Sequence, residues 1–250
     1  MTSISIASGL LAEIFRTRGI PVWYSLAFVS FIGVLISIRA DLNEPLAITL
    51  ALLGLIFAYR KQWAWSGLLF ALAILAKEIV IVFPVGISFW LLIRGRLRIA
   101  IQLLIASILP AIVWGAIVTL WLGESPLNTG AAAMELIPFL GLKLIHLSPF
   151  RVFIIIWVAL PAIILGAIGI YDLKYIKMSP DILLLLSSIA LIAFMPRIIW
   201  INIAGALRVA IVLSLTSFLY ASSMRPSLIP WISVYWISSG IILLPALLYV

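Results

Sequence analysis

Lys77 and Glu78 are neighbours in the middle of the apolar stretch Trp63–Ile93. An ionisable group at membrane depth costs roughly 2.5–3.5 kcal/mol on insertion scales, so it faces a partner or a wet cavity. Two readings follow. Lys77 binds an anionic head group while Glu78 orients it, or the two charges neutralise each other as the plug of a helical turn. A second constellation is Arg39-Ala-Asp41-Leu-Asn-Glu44-Pro45. Asp41 can cap the helix that follows, with Glu44 reciprocating. Alternatively one carboxylate deprotonates a hydroxyl, or the pair holds a divalent cation. A third lies between Pro196 and Arg208. Arg197 can snorkel to an interface. Arg208 lies inside an apolar run and needs an anion or a water-filled cleft, to which Trp200 would add an aromatic platform and Asn202 an amide. His146 is the single histidine, three residues after Lys143; it reads as interfacial or as an accessory catalytic group. No glycine-rich phosphate loop, nucleophile elbow or metal-ligand repeat is present, and no metal site is assigned.

The elements that position these groups are set by composition. Of 250 residues, 66% are hydrophobic and only 10% charged, with a mean hydropathy of +1.33. Such a chain is a polytopic membrane protein. Its apolar runs are unbroken rather than alternating, which selects an all-α transmembrane bundle over a barrel. The absence of cysteine excludes a disulfide framework and thiolate chemistry. The net charge of +8 is carried between apolar segments, so it reads as a topology signal and lipid-headgroup contact, not as a nucleic-acid surface.

Nine hydrophobic segments are expected, over 20–38, 45–59, 63–76, 79–93, 99–121, 152–171, 181–195, 204–220 and 227–249, in one domain covering 1–250. Segment 63–76 would measure only about 21 Å against a hydrocarbon core of about 30 Å, so 63–93 is either one long helix or a hairpin turning at Lys77-Glu78. The hairpin gathers Arg16, Arg18, Arg60, Lys61, Arg94, Arg96, Arg98, Lys174, Lys177 and Arg225 on one side, ten of the sixteen basic residues. The single helix leaves no bias. The positive-inside rule therefore selects the hairpin, with a cytoplasmic N-terminus and an outer C-terminus. Asp41, Glu44, Glu78, Glu124 and Glu135 then share the outer side with Arg39, Lys77, Arg151, Arg197 and Arg208. Ile4, Ala7, Leu11, Ile14 and Phe15 share one helical face, which predicts an interfacial helix over 1–18. The outer loop 122–150 is expected to carry a short helix reclining on the membrane.

On these residues the chain resembles a known group. Asp41-Leu-Asn-Glu-Pro-Leu-Ala-Ile-Thr-Leu-Ala-Leu-Leu-Gly54, a basic turn, Ala71-Leu-Ala-Ile-Leu-Ala-Lys-Glu78 and Arg94-Gly-Arg96 look like the middle of bacterial GT-C glycosyltransferases. That group includes the protein mannosyltransferases and the aminoarabinose transferases of lipid A. Gly205-Ala-Leu-Arg208 resembles a later arginine region in some of them. The resemblance covers roughly residues 30–215. It implies a multi-pass protein of the bacterial inner membrane that takes a sugar from a polyprenyl phosphate on the outer face. Asp41 or Glu44 would be the base toward the acceptor hydroxyl. Lys77, Glu78, Arg197 and Arg208 would form the lipid-phosphate site, with Arg39 and His146 accessory. The family's first-loop aspartate has no counterpart here. The expectation is therefore a chain lacking the N-terminal spans, a variant in which Asp41 takes over the role, or a non-catalytic subunit partnered by other membrane proteins.

Overall fold

A computed structural model describes residues 2–123, 135–144, 149–176 and 178–248. Among them the ordered elements are helical throughout. In chain order they are α1 (Thr2–Thr17), α2 (Ser25–Val29), α3 (Ile32–Arg39), α4 (Glu44–Tyr59), α5 (Trp63–Ala76), α6 (Val82–Ile93), α7 (Leu97–Leu122), α8 (Pro149–Ile154), α9 (Leu160–Tyr175), α10 (Pro180–Ala193), α11 (Arg197–Ile201), α12 (Ile203–Met224) and α13 (Ile229–Leu248). Helix covers each of the nine apolar segments, but they are not nine full spans. Leu97–Leu122, Val152–Tyr175 and Ile203–Met224 are long and apolar enough to cross a membrane. Val22–Val29 and Ile32–Arg39 make a fourth if counted together across their 60° bend. α4, α5, α6 and α10 are shorter apolar helices, as a helix of 14 or 16 residues must be.

The hairpin over α5 and α6 is present. Gly67 faces Leu103 and Ala106, while Leu75, further along α5, meets Pro110, Trp114 and Ile117. So α5 runs parallel to α7. Ser88 Oγ donates to the Ala100 carbonyl at 3.3 Å, close to the Arg94-Gly95-Arg96 turn, so α6 runs antiparallel to α7. Lys77 separates the two arms in an extended conformation (φ −159°, ψ 126°). The turns at Arg60-Lys61 and Arg94–Arg96 consequently fall at one end of the bundle, the basic end. Lys77-Glu78 falls at the other.

α12 is the axis of the core, buried from Ala206 almost without a break to Ser222. Helices reach it closely only where side chains are small. A Cβ on Gly33 would lie 2.2 Å from the Leu207 carbonyl oxygen, and one on Gly240 would lie 2.4 Å from that of Ser30. The bend after α2 frees the Ile32 amide, which donates to Ser239 Oγ of α13 at 3.3 Å. The α8–α9 rod carries a π-turn over Ile155–Ala159, ending two positions before Pro161. In that register the Ile156 carbonyl would pair with the amide of Pro161, which has none. The Tyr235 hydroxyl of α13 donates to it instead, so the orphaned acceptor is satisfied from the neighbouring helix.

One expectation is corrected. α1 does not lie across an interface. It runs the length of α4, from Ser3, whose carbonyl accepts from Thr49 Oγ1 at 2.6 Å, to Arg18 beside the Tyr59 ring. Its apolar face of Ile4, Ala7, Leu11, Ile14 and Phe15 is buried in the core. The face was read correctly, but its partner is protein rather than lipid. Thr2 therefore starts at the end that carries Asp41, not at the basic end. Of the 122–150 loop the described residues hold a 3₁₀ turn over Leu140–Leu144; 124–134 and 145–148, where the rest of the expected reclining helix would fall, lie outside the described residues. His146 and Glu124 lie outside the described residues.

Candidate functional site

The mixed-charge end is assembled from the α3–α4 turn, the α5–α6 break, α11 and the start of α12. Asp41 closes α3. The Asp41 amide bonds to the Ile38 carbonyl at 3.2 Å and the Leu42 amide to that of Ser37 at 3.0 Å, the paired bonds of a Schellman cap. Asp41 takes the left-handed position of that cap, at φ +50°, where glycine is the usual residue and aspartate is tolerated. Lys61 closes α4 in the same way at φ +60°. The capping-box expectation is thereby overturned. The residue preceding α4 is Asn43, no side chain caps it, and Asp41 belongs to the helix before. Asp41 is exposed and lines a polar recess of about 100 Å³ with Ser3, Ser37 and Asn43.

Glu44 points the other way. It is 1% exposed, and its Oε1 accepts from both Arg208 Nε, at 2.9 Å, and Arg208 Nη2. Arg208 thus finds its anion within the chain, and Glu44 is committed to it. Glu44 Oε2 has no hydrogen-bond partner, and Glu44 lines a small closed void with Ser37, Ile48 and Ile211. Lys77 Nζ pairs with Glu78 at 2.7 Å, but unequally: the lysine side chain is 28% exposed and the carboxylate 74%. Arg197 approaches Glu135 at 3.9 Å and is half exposed. Arg39 is exposed at the end of α3. Trp200 is not an open platform; it is fully buried against Gly141 and Phe139. Asn202 caps α12, accepting from the Gly205 amide at 3.0 Å.

The sequence residues thus gather at one end without lining one chamber. Glu44 is joined to Arg208 and Lys77 to Glu78, and the Asp41 recess is lined by neither pair. Among the described carboxylates at this end, Asp41 alone has no cation. No group of three or more acidic or histidine side chains disposed for a metal occurs among the described residues.

The basic end holds two clusters that the charge pattern did not single out. Asp181 accepts from the Tyr59 hydroxyl and pairs with Arg18 at 3.1 Å. Arg18 also donates to Ser222 Oγ at 2.7 Å and to the Leu219 carbonyl at 2.8 Å. Asp172, completely buried, accepts from Arg225 at 2.6 and 2.8 Å and from the Tyr220 hydroxyl. Its bonding to the Asp172 carboxylate holds the Arg225 guanidinium above its already high ordinary pKa. These are structural staples, because every charge has its partner in place. Acids set among the lysines and arginines at helix ends are the signal that reveals them.

Neither a family model, nor a curated protein, nor a solved structure matches this chain.

Proposed function

We propose that the chain is a GT-C-like membrane glycosyltransferase that moves a sugar from a polyprenyl-phosphate donor at its mixed-charge end. The observation that carries the reading is Asp41, a carboxylate without a cation at the mouth of a polar recess. The cations Arg39, Lys77 and Arg197 sit at the same end of the bundle. A base must present an oxygen to the acceptor hydroxyl, and a cation beside a carboxylate lowers its basicity and occupies that oxygen. Lys77 and Arg197 are the donors for the leaving phosphate. Glu44 and Arg208 act as a tie that fixes α4 to α12 behind the recess. The basic end faces the cytoplasm of a bacterial inner membrane and the mixed end faces outward. The direction of α1 then puts the start of the chain on the outer side.

A second reading is favoured by one observation. Glu44, Glu78 and Glu135 are each matched by a cation from the chain itself. This is what a non-catalytic subunit would need to hold its helices together. Asp41→Asn separates the two. Asparagine accepts the left-handed conformation as readily as aspartate, so stability is unchanged in both cases. A transferase loses release of polyprenyl phosphate from a labelled donor in proteoliposomes, while a scaffold never shows that release. Full turnover by D41N would remove Asp41 from the chemistry.

A further inference from the structure

The basic end divides its charges unequally. The acids there are each taken: Glu13 by Arg16, Asp181 by Arg18 and Asp172 by Arg225. Arg60, Lys61, Arg94, Arg96 and Arg98 are exposed and make no ion pair with any described carboxylate. The sequence supplies no acid between Glu44 and Glu78, nor between Glu78 and Glu124. Arg60 lies within electrostatic range of Glu13, but Arg16 already holds that carboxylate through two bonds of 2.7 Å. Arg94 reaches only the Met178 carbonyl, at 3.5 Å. The two turns that carry these cations stand side by side. α5 and α7 are parallel, with Gly67 against Leu103 and Ala106, so the Lys61-Gln62 turn is level with Arg98 across helix axes about 8–10 Å apart. Both helices start there without an acid in the first turn or a side-chain cap, and their free amides add positive potential. Directly below, the outward faces are apolar: Trp65 is 58% exposed and Leu68 49% on α5, Ile101 45% and Ile105 55% on α7.

We propose that the α4–α5 and α6–α7 turns together bind an anionic phospholipid of the leaflet at the basic end, with Lys61, Arg96 and Arg98 on its phosphate oxygens and its acyl chains laid over the α5 and α7 faces beneath. Charge complementarity selects this occupant. A soluble anion leaves the apolar faces uncovered, and a zwitterionic lipid brings an ammonium group against unpaired cations. Basic groups on two separate turns favour a head group with two phosphates, because each turn then receives a phosphate of its own. Bound so, the lipid ties the α4–α5 pair to the α6–α7 pair at the end where the chain supplies no carboxylate to do it. The site lies at the opposite end from Asp41 and serves a transferase and a scaffold alike.

The test uses the full chain in mild detergent and native mass spectrometry, with cardiolipin, dioleoylphosphatidylglycerol or dioleoylphosphatidylcholine added in turn. Cardiolipin should be retained about tenfold more tightly than the phosphatidylglycerol, and the phosphatidylcholine should be lost. Lys61→Asn and Arg98→Gln should each weaken cardiolipin retention about fivefold. Asparagine is the replacement at 61 because the backbone there is left-handed, at φ +60°. Lys174→Gln removes an exposed cation of the same end that lies over the Tyr175 ring, and should leave retention unchanged. All three variants should melt at the wild-type midpoint in lipid-free detergent, which separates a lost lipid from a lost fold. Equal retention of the three lipids would overturn the site, since acyl chains alone would then bind. The same loss from Lys174→Gln as from Arg98→Gln would overturn it too, since the charge would then act diffusely. Equal retention of cardiolipin and phosphatidylglycerol would overturn the two-phosphate assignment.

Discussion

Glu44 and Arg208 allow the sharpest test of how this bundle is held. Arg208→Met leaves a carboxylate that is 1% exposed with nothing to neutralise it, and its Oε2 already has no hydrogen-bond partner. Removing one member of a buried pair costs about 3–5 kcal/mol. For a chain of this length that corresponds to a fall of roughly 10 °C in the unfolding midpoint. Glu44→Met is milder, because Arg208 retains 27% exposure and its guanidinium can reach water; about 1–3 kcal/mol is expected. If the singles simply added, the double variant would be the worst of the three. Replacing both charges by apolar side chains of similar volume is instead close to neutral. Glu44→Met/Arg208→Met should therefore unfold within about 1 kcal/mol of the wild type, a coupling of 3 kcal/mol or more. The assay is tryptophan fluorescence or size exclusion on detergent-solubilised protein through a temperature series. Additive losses would falsify the view that the two side chains act as one internally satisfied pair. They would return Arg208 to the role of a cation waiting for an external anion.

Two further outcomes follow from the packing and the path of the chain. Gly33→Ala should destabilise by about 1–3 kcal/mol, since its Cβ would fall 2.2 Å from the Leu207 carbonyl oxygen; Gly115→Ala, with nothing within 4 Å, should be neutral or slightly stabilising in the same melt. Single cysteines at Gln62 and Gly95 should react with an impermeant maleimide from one side of the membrane and a cysteine at Ser3 from the other; labelling of all three from one side would contradict the course of α1.

The legible part of the fold was carried by charge. Lys77-Glu78 marked the hairpin because no apolar helix runs through two ionisable groups without a turn or a partner, and the clustering of arginines and lysines placed the turns at one end. Pairing across the chain was not legible. Glu44 and Arg208 are 164 residues apart, and hydropathy gives no register between distant helices. Each was thus read as a separate candidate for chemistry. Asp172 and Asp181 were passed over for the converse reason: in a loop rich in lysine and arginine, a carboxylate looks like a solvated anchor until its burial is known. The apolar face of α1 shows the same limit. A stripe at helical spacing announces that something apolar covers it, and only the three-dimensional arrangement distinguishes lipid from the flank of α4.

The staples at the basic end also bear on how the protein is made. Arg18 is made well before Asp181, Leu219 and Ser222, which satisfy it; Asp172 waits for Tyr220 and Arg225. During synthesis Asp172 is without Tyr220 and Arg225, and Arg18 has Asp181 but not Leu219 and Ser222, until α12 is in place. Closure of that end therefore depends on α12 and Arg225. A polypeptide cut before α12 is not a smaller version of the protein: it keeps the Arg18–Asp181 pair but leaves Asp172 buried without Tyr220 and Arg225.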